Sequence, residues 1–372
     1  MTIYNEPKAR RRVLMTIDAV GGVWRYAMDL AKAMSETHGI ETVFMGFGPQ
    51  PSPEKASAAL NIGKLVWLDA PLDWTAPDEA ALATVPDSIA ALALQEKVDL
   101  IHLNLPSQAA GLKVAFPIVA VSHSCVATWF AGVRGHDLPS DWHWHYLLNR
   151  KGFDRADAVI APSRSHAAML GKAYGRIGRL HIVHNGSGFE SRETNKESFV
   201  FAAGRWWDDG KNGAVLDRAA TKVDWPFVVA GSNAGPTGQY LAFDNLSHLG
   251  ELSHRDTMDL MTRAAIVVSP SVYEPFGLAP LEAARAGAAL VLADIPTYRE
   301  LWNGVALFAD PHQPAAFAEA INRLSKDSDL RLIFAKKARQ RSAAFTVEAQ
   351  AAAVNRIYIH LIQQSLSTTA AE

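Results

Sequence analysis

The chain has 372 residues, of which 49% are apolar and 20% charged, with a formal net charge of −2. That length holds two ordinary domains with full cores, the composition excludes a disordered or fibrous protein, and the balanced charge removes the electrostatic case for a nucleic-acid binder. The lone Cys125 cannot form an intrachain disulfide, so no disulfide scaffold is possible and a cytoplasmic enzyme is the expectation.

The N-terminal segment MTIYNEPKARRRVLMTI has basic residues but runs straight into a strand-like stretch, without a long apolar run or a small-residue cleavage site. It reads as no secretion signal. Apolar β-branched runs then alternate with helical patterns, the mark of a parallel α/β architecture. The first half predicts strands at 13–17, 41–46, 64–68, 99–103, 117–121, 158–161 and 181–183. Between the first two, Gly21-Gly22 opens a helix over 23–34, where Val23, Tyr26, Ala27, Leu30, Ala31 and Met34 share one face. The longest apolar stretches, such as 112–121, are broken by Lys113 and Pro117 and fall short of the roughly 20 residues that span a bilayer.

Segment 141–155 (DWHWHYLLNRKGFDR) is aromatic with a basic end. Together with Trp129, Phe130 and Arg134 it suits either a core-packed helix with a polar edge, the favoured reading, or a weak membrane-surface contact at the inner face. Residues 185–198 (NGSGFESRETNKES) are polar and almost free of large apolar side chains, and predict the linker. The pattern then restarts, with strands at 199–203, 227–230, 266–269, 289–292 and 305–308, and turns helical after Pro314, over 315–324 and 347–364. No internal repeat or low-complexity tract interrupts it. The expectation is two facing Rossmann-like domains with a central cleft, function lying at the carboxyl ends of the strands.

The most informative strand end is 267–290, VVSPSVYEPFGLAPLEAARAGAAL. Pro275 and Gly277 keep Glu274 on a loop, while Glu282 falls on the helix that begins near Leu278. Both carboxylates can then face one ligand. The free N–H groups of Gly277 and Leu278 form an anion site strengthened by the helix dipole. An anion flanked by two carboxylates requires hydroxyls between them, which points to a phosphorylated sugar.

This segment resembles the E-x7-E signature of retaining glycosyltransferases, and its setting in S-P-S-x-Y-E-P-F-G-L is similar to family 4 of those enzymes, whose two-domain architecture is called GT-B. The resemblance covers nearly the whole chain. It implies an acceptor-side domain over 1–186, a nucleotide-sugar domain over 187–350, and a terminal helix over 351–372 packing back on the first domain. AAGRWWDDGKN (202–212) resembles the family's G-R-x5-K element, which assigns Arg205 and Lys211 to the donor diphosphate; an Arg fork and a Lys point charge divide two phosphates sensibly. Glu274 would hold sugar hydroxyls and Glu282 the ribose. Gly22 matches the glycine-rich first loop, and GELSH (250–254), with Gly250 and Leu252, lies where the family contacts the base. Phe276, Gly277 and Leu278 complete the donor side. His123, at a strand end in VAVSHSC, matches the first-domain histidine that meets the donor sugar; a Cys125–His123 nucleophile lacks an orienting partner. Ser163, in A-P-S, is expected as a helix cap. Asp208 and Asp209 are adjacent rather than spaced as a metal motif, so no metal or other cofactor is expected.

The implied activity is transfer of a hexose, with retention, from a nucleotide diphosphate sugar, UDP-glucose first among candidates, to a hydroxyl acceptor. A sugar-nucleotide epimerase and a glycoside phosphorylase of the same fold remain the alternatives. A non-catalytic binding protein would be expected to lack Arg205, Lys211 or Glu274, and all three are present.

Overall fold

The computed structural model describes residues 10–136, 138–190, 194–236 and 238–369. Residues 1–9, 191–193 of the expected linker, and 370–372 of the expected terminal helix lie outside the described residues. Two all-parallel sheets carry the fold. The first contains β1 (Arg12–Asp18), β2 (Glu41–Phe47), β3 (Lys64–Trp67), β4 (Leu100–Leu103), β5 (Ile118–Val121), β6 (Ala158–Ala161) and β7 (Leu180–Ile182), in the order β3-β2-β1-β4-β5-β6-β7. The second contains β8 (Glu197–Ala203), β9 (Phe227–Ala230), β10 (Ser247–His248), β11 (Ala264–Ser269), β12 (Ala289–Ala293) and β13 (Leu307–Ala309), in the order β10-β9-β8-β11-β12-β13.

Register in the first sheet runs from Arg12 opposite Glu41 to Asp18 opposite Phe47. Along β1, Leu14 enters one hydrophobic core and Val13, Met15 and Ile17 the other, so this sheet is buried on both faces. That is why its strands read as unbroken apolar runs rather than alternating ones. The predicted strand at 305–308 sits slightly later, at Leu307–Ala309, and the two-residue edge strand β10 carries no pattern that sequence could register.

The helix Gly22–His38 buries the predicted face, with Val23 only partly covered, and also Trp24, Met28 and Ala33. Its further burial has a partner distant in sequence. The terminal helix Val347–Thr369 sends Val354, Ile357, Tyr358 and Leu361 into the same core. At about 1.5–3 kcal/mol per large buried side chain, those contacts make it a firm part of the first domain. Tyr358 OH also hydrogen-bonds His102 Nδ1 at 2.7 Å. The helix begins at Val347, ahead of the expected boundary at 351, because Thr346 Oγ1 accepts the Ala349 N–H (3.1 Å) as a cap.

The chain therefore crosses between domains twice, and the crossings run side by side. Ser187 bridges Thr346, Gly186 N donates to Gln350 Oε1 at 2.7 Å, and a Cβ at Gly186 would lie 2.3 Å from Thr346 O.

Candidate active site

Strand order reverses between β1 and β4 in the first sheet and between β8 and β11 in the second. Loops leaving the carboxyl ends at such points diverge and leave a crevice. Contacts across the interface set the loops after β1, β8 and β11 against one another, and most candidate residues stand on them.

In the loop after β1, Asp18 Oδ1 accepts the Val20 N–H (2.9 Å), while Arg205 Nη1, from the loop after β8, donates to Val20 O (3.0 Å). Gly21 has φ 131°, and a Cβ there would lie 3.0 Å from Arg205 Nη1. The missing side chain that the loop requires is thus that of Gly21. At Gly22, which opens the helix, a Cβ would meet only Leu278 Cδ1 at 3.9 Å. Burial pushes the Asp18 carboxyl up from the usual carboxylate range, with Arg205 and Lys55 pulling it back.

Lys211 Nζ lies 2.5 Å from Glu274 Oε2, the two side chains being 22% and 14% exposed. A pair so far out of bulk water leaves a stranded charge when either partner is removed. Asn212 Nδ2 ties this loop to its neighbours by donating to Pro270 O and Pro311 O (3.1 and 2.7 Å). Next to the pair, Gly277 stands at φ 90° as the N-cap of the helix Leu278–Arg285, and no side-chain hydrogen bond caps that helix. Its first N–H groups are left for an anion.

Glu282 occupies a different environment from Glu274. It is 7% exposed, and burial pushes its carboxyl up to about 7, Arg25 acting to lower it and Asp29 to raise it. Arg25 Nε and Asp29 Oδ2 lie 2.9 Å apart on the first-domain helix Gly22–His38. One carboxylate of the pair is therefore neutralised within its own domain, while the other is buried within electrostatic reach of charges on the opposite domain.

Three loops of the second domain meet closely, in part through backbone. Gly231 N donates to Gly250 O (2.8 Å), and a Cβ at Gly231, where φ is 115°, would lie 1.9 Å from Gly204 O. Leu252 packs, partly buried, against the second-domain core. Phe276 is 2% exposed and edge-on to Phe345 at 5.7 Å, so its ring belongs to the core and only its backbone can reach a ligand.

Away from Asp18 and the Arg25–Asp29 pair, the first-domain wall is lined by neutral groups. Asn104 Nδ2 donates to Thr16 O (2.6 Å), which turns Asn104 Oδ1 outward to accept from His123 Nε2 (2.8 Å) and places the ring proton on Nε2. Burial, then the neighbouring His102 and His166, hold His123 down to about 3, so its ring is neutral near pH 7. Tyr26 stands edge-on to it at 4.3 Å. The Cys125 thiol is buried and pushed up, bonded to Thr128 and Tyr174 rather than to His123.

Side chains tie the two walls together. Tyr273 OH reaches Ser124 Oγ and Thr128 Oγ1 (3.1 and 2.8 Å), Trp129 Nε1 donates to Asp208 Oδ1 (3.0 Å), and Ser163 Oγ donates to Pro275 O (2.6 Å). Ser163 Oγ also accepts the His166 N–H (2.9 Å), the expected cap. From the second domain, Glu300 accepts the N–H groups of Arg164 and Ser165 (2.9 and 2.7 Å).

A family model described as "Glycosyltransferase Family 4" matches residues 20–187, and one described as "Glycosyl transferases group 1" matches residues 189–341, the half that carries Arg205, Lys211, Glu274 and Glu282. The two matched stretches together run from residue 20 to residue 341, and the second is similar to the group 1 glycosyl transferases. Among curated relatives, a glycogen synthase of Mycobacterium tuberculosis is 36% identical over 114 residues, a stretch spanning 30% of this chain and only 28% of that enzyme. Among solved structures, sucrose-phosphate synthase from Thermosynechococcus elongatus has a TM-score of 0.79 at 19% identity, covering 95% of this chain and all of that one. Anabaena Alr3699/HepE, solved in complex with UDP and glucose, has a TM-score of 0.70 at 17% identity and covers 98% of this chain and 100% of its own. These likenesses establish the GT-B fold.

The sequence-predicted Arg205, Lys211, Glu274, Gly277 and Leu278 come together at one crevice, with Gly22 opposite Leu278. Sequence reading passed over Arg25, Asn104 and Tyr273. An Arg25–Asp29 spacing of four on a helix was visible, as was Asn104 at the end of a strand, but no local signal says that Tyr273 reaches the other domain. The aromatic segment forms the helix His143–Arg155, which buries His145, Leu148, Asn149, Gly152 and Phe153. Among the described residues no helix is long and apolar enough to cross a membrane.

Proposed function

We propose that the chain transfers a hexosyl group, with retention of anomeric configuration, from a nucleotide diphosphate sugar to a hydroxyl acceptor, as a family 4 enzyme without a required metal. UDP-glucose is the first candidate donor, in keeping with the UDP and glucose named for the HepE complex. The observation that carries the reading is the Lys211–Glu274 pair beside the uncapped helix start at Gly277, with Arg205 facing the same crevice.

In this reading Arg205, Lys211 and the Gly277–Leu278 N–H groups hold the diphosphate and stabilise the charge that develops as it departs, the term that dominates this kind of catalysis. Glu274, paired with Lys211, accepts hydrogen bonds from sugar hydroxyls, and Glu282 accepts from the ribose. His123, neutral and oriented by Asn104, faces the sugar as a hydrogen-bonding group rather than an acid. The acceptor hydroxyl oxygen forms the bond to the anomeric carbon, the bond from that carbon to the diphosphate breaks on the same face, and the hydroxyl proton passes to a diphosphate oxygen. No protein nucleophile takes part. The reading is tested by calorimetric titration with UDP, GDP and ADP in the absence of metal: one nucleotide should bind, and Arg205→Ala should abolish the signal. Undiminished binding by that variant would count against it.

A further inference from the structure

After β5 the chain runs through the short helix Val126–Trp129 straight into a π turn, Phe130–Arg134, which Gly135 ends at φ 70°. A π turn closes its hydrogen bond over five residues, so Trp129, Val133 and Arg134 share the face that meets the second domain, and such turns are frequent at functional positions. Glycine on each side permits the approach. A Cβ at Gly132 would lie 2.7 Å from Tyr273 Cδ2, and one at Gly210 would lie 3.1 Å from Trp129 Nε1 and 3.3 Å from Val133 Cγ2.

What the turn grips is the segment between Arg205 and Lys211. Trp129 Nε1 donates to Asp208 Oδ1 (3.0 Å), and the same oxygen accepts the Gly210 N–H (2.9 Å), capping the 3-10 turn Asp209–Lys211. The other carboxylate oxygen, Oδ2, lies 3.5 Å from Arg205 Nη2, and Asp208 O accepts the Lys211 N–H (2.8 Å). Gly210 O in turn accepts the Val272 N–H (3.0 Å), just ahead of Glu274. One carboxylate, 13% exposed, is thereby joined to both cations of the crevice, and the first domain supplies one of its donors. Arg134 adds an ion pair to Asp209 (2.5 Å), but both partners are exposed and such a pair contributes little. Trp129 differs in kind, because an indole N–H has a fixed direction and here it meets a mostly buried charge.

We propose that Trp129 is a positioning residue for the transfer step: from the first domain it holds Asp208, and through Asp208 it fixes where Arg205 and Lys211 stand as charge develops on the departing diphosphate. This deepens the transferase reading and rests on it. Cations set for the charge of the transition state matter less to ground-state binding, so the effect falls on kcat. The test uses the full chain with UDP-glucose and water as the acceptor, UDP release being the signal, together with hydrogen exchange of segment 208–212 read by mass spectrometry. Trp129→Phe, which removes the N–H and keeps an aromatic ring, should lower kcat about fivefold with KM within about twofold, and should speed exchange of the Gly210 and Lys211 amides. Asp208→Ala should lower kcat at least as far, and adding Trp129→Phe to it should cost less than about a further twofold, because the two side chains act as one unit. An unchanged kcat or unchanged exchange in Trp129→Phe, a loss carried by KM alone, or losses that multiply in the double variant overturn the assignment. Absence of UDP release from the parent, whatever the exchange shows, overturns instead the UDP-glucose transferase reading on which it rests.

Discussion

The two walls of the crevice are built on opposite electrostatic principles. The second-domain wall is ionic, with Lys211 on Glu274 and Arg205 beside Asp208 at 3.5 Å, all on short loops at a reversal of strand order. Apart from Asp18 and the Arg25–Asp29 pair, the first-domain wall is neutral, a hydrogen-bonded relay of Thr16, Asn104 and His123 in which burial keeps the imidazole uncharged. A reaction that develops charge on a departing diphosphate needs cations where that charge appears, and neutral donors and acceptors where uncharged hydroxyls are held. Glu282 is where the division blurs, a second-domain carboxylate whose ionisation is helped by Arg25 of the first.

Removing a cation from the ionic wall should do most to break this contrast. On the proposed reading Lys211→Ala both strips the diphosphate of a charge and strands Glu274, so turnover measured by nucleotide release should fall by about 10²–10³ or more with the far-ultraviolet circular dichroism unchanged. Turnover within a few-fold of the parent would remove the charged-wall assignment.

Glu282 sharpens the comparison through pH. Its folded value of about 7 lies above the ordinary 4.5, so its contribution to stability is fully present below about 4.5 and is lost as pH rises through about 7. Glu282→Gln should therefore be the more stable protein at pH 8, by at most on the order of 3 kcal/mol in chemical denaturation. The same variant should bind UDP about tenfold more weakly at that pH, because the parent carboxylate is then ionised and able to accept from ribose. Equal stability of the two proteins at pH 8 would contradict the buried, proton-favouring environment.

On the neutral wall the expected sign is an absence of titration. With His123 held near 3, the turnover profile of the parent between pH 6 and 8 should contain no step that vanishes in His123→Asn, although that variant turns over more slowly. A histidine step near 6.5 that disappears with the substitution would make His123 an acid–base group. The smallest effect belongs to the ties between the walls. Tyr273→Phe removes only the hydroxyl shared with Ser124 and Thr128, and should cost about 1 kcal/mol, read as a few-fold loss in kcat/KM. A loss as large as that of Lys211→Ala would mean that closure, not charge, limits the reaction.

Sequence made the architecture legible because parallel strands buried on both faces leave apolar runs that glycine and proline punctuate. It also made the ionic wall legible: Arg205, Lys211, Glu274 and Glu282 lie in compact segments whose spacing survives folding. What it could not convey was contact between segments far apart in the chain. Arg205 finds Val20 across 185 positions and Tyr358 finds His102 across 256, and neither end carries a local mark of the other. Gly21 and Gly22 were indistinguishable by type, and only the close approach of Arg205 separates the glycine that the loop requires from its neighbour. The different fates of Glu274 and Glu282 likewise depend on burial, which the E-x7-E spacing does not encode.

The paired crossings at Gly186–Ser187 and Thr346 make the second domain an insertion within the first. The order of synthesis is then not the order of completion. The second-domain core, contributed by residues from Phe199 to Phe345, is complete before any of Val347–Leu361 leaves the ribosome, whereas the first domain, begun earlier, waits for those residues to fill the space beside Gly22–His38. Until then the side of Gly22–His38 that packs on the terminal helix, Tyr26 included, lacks its partner on the nascent chain.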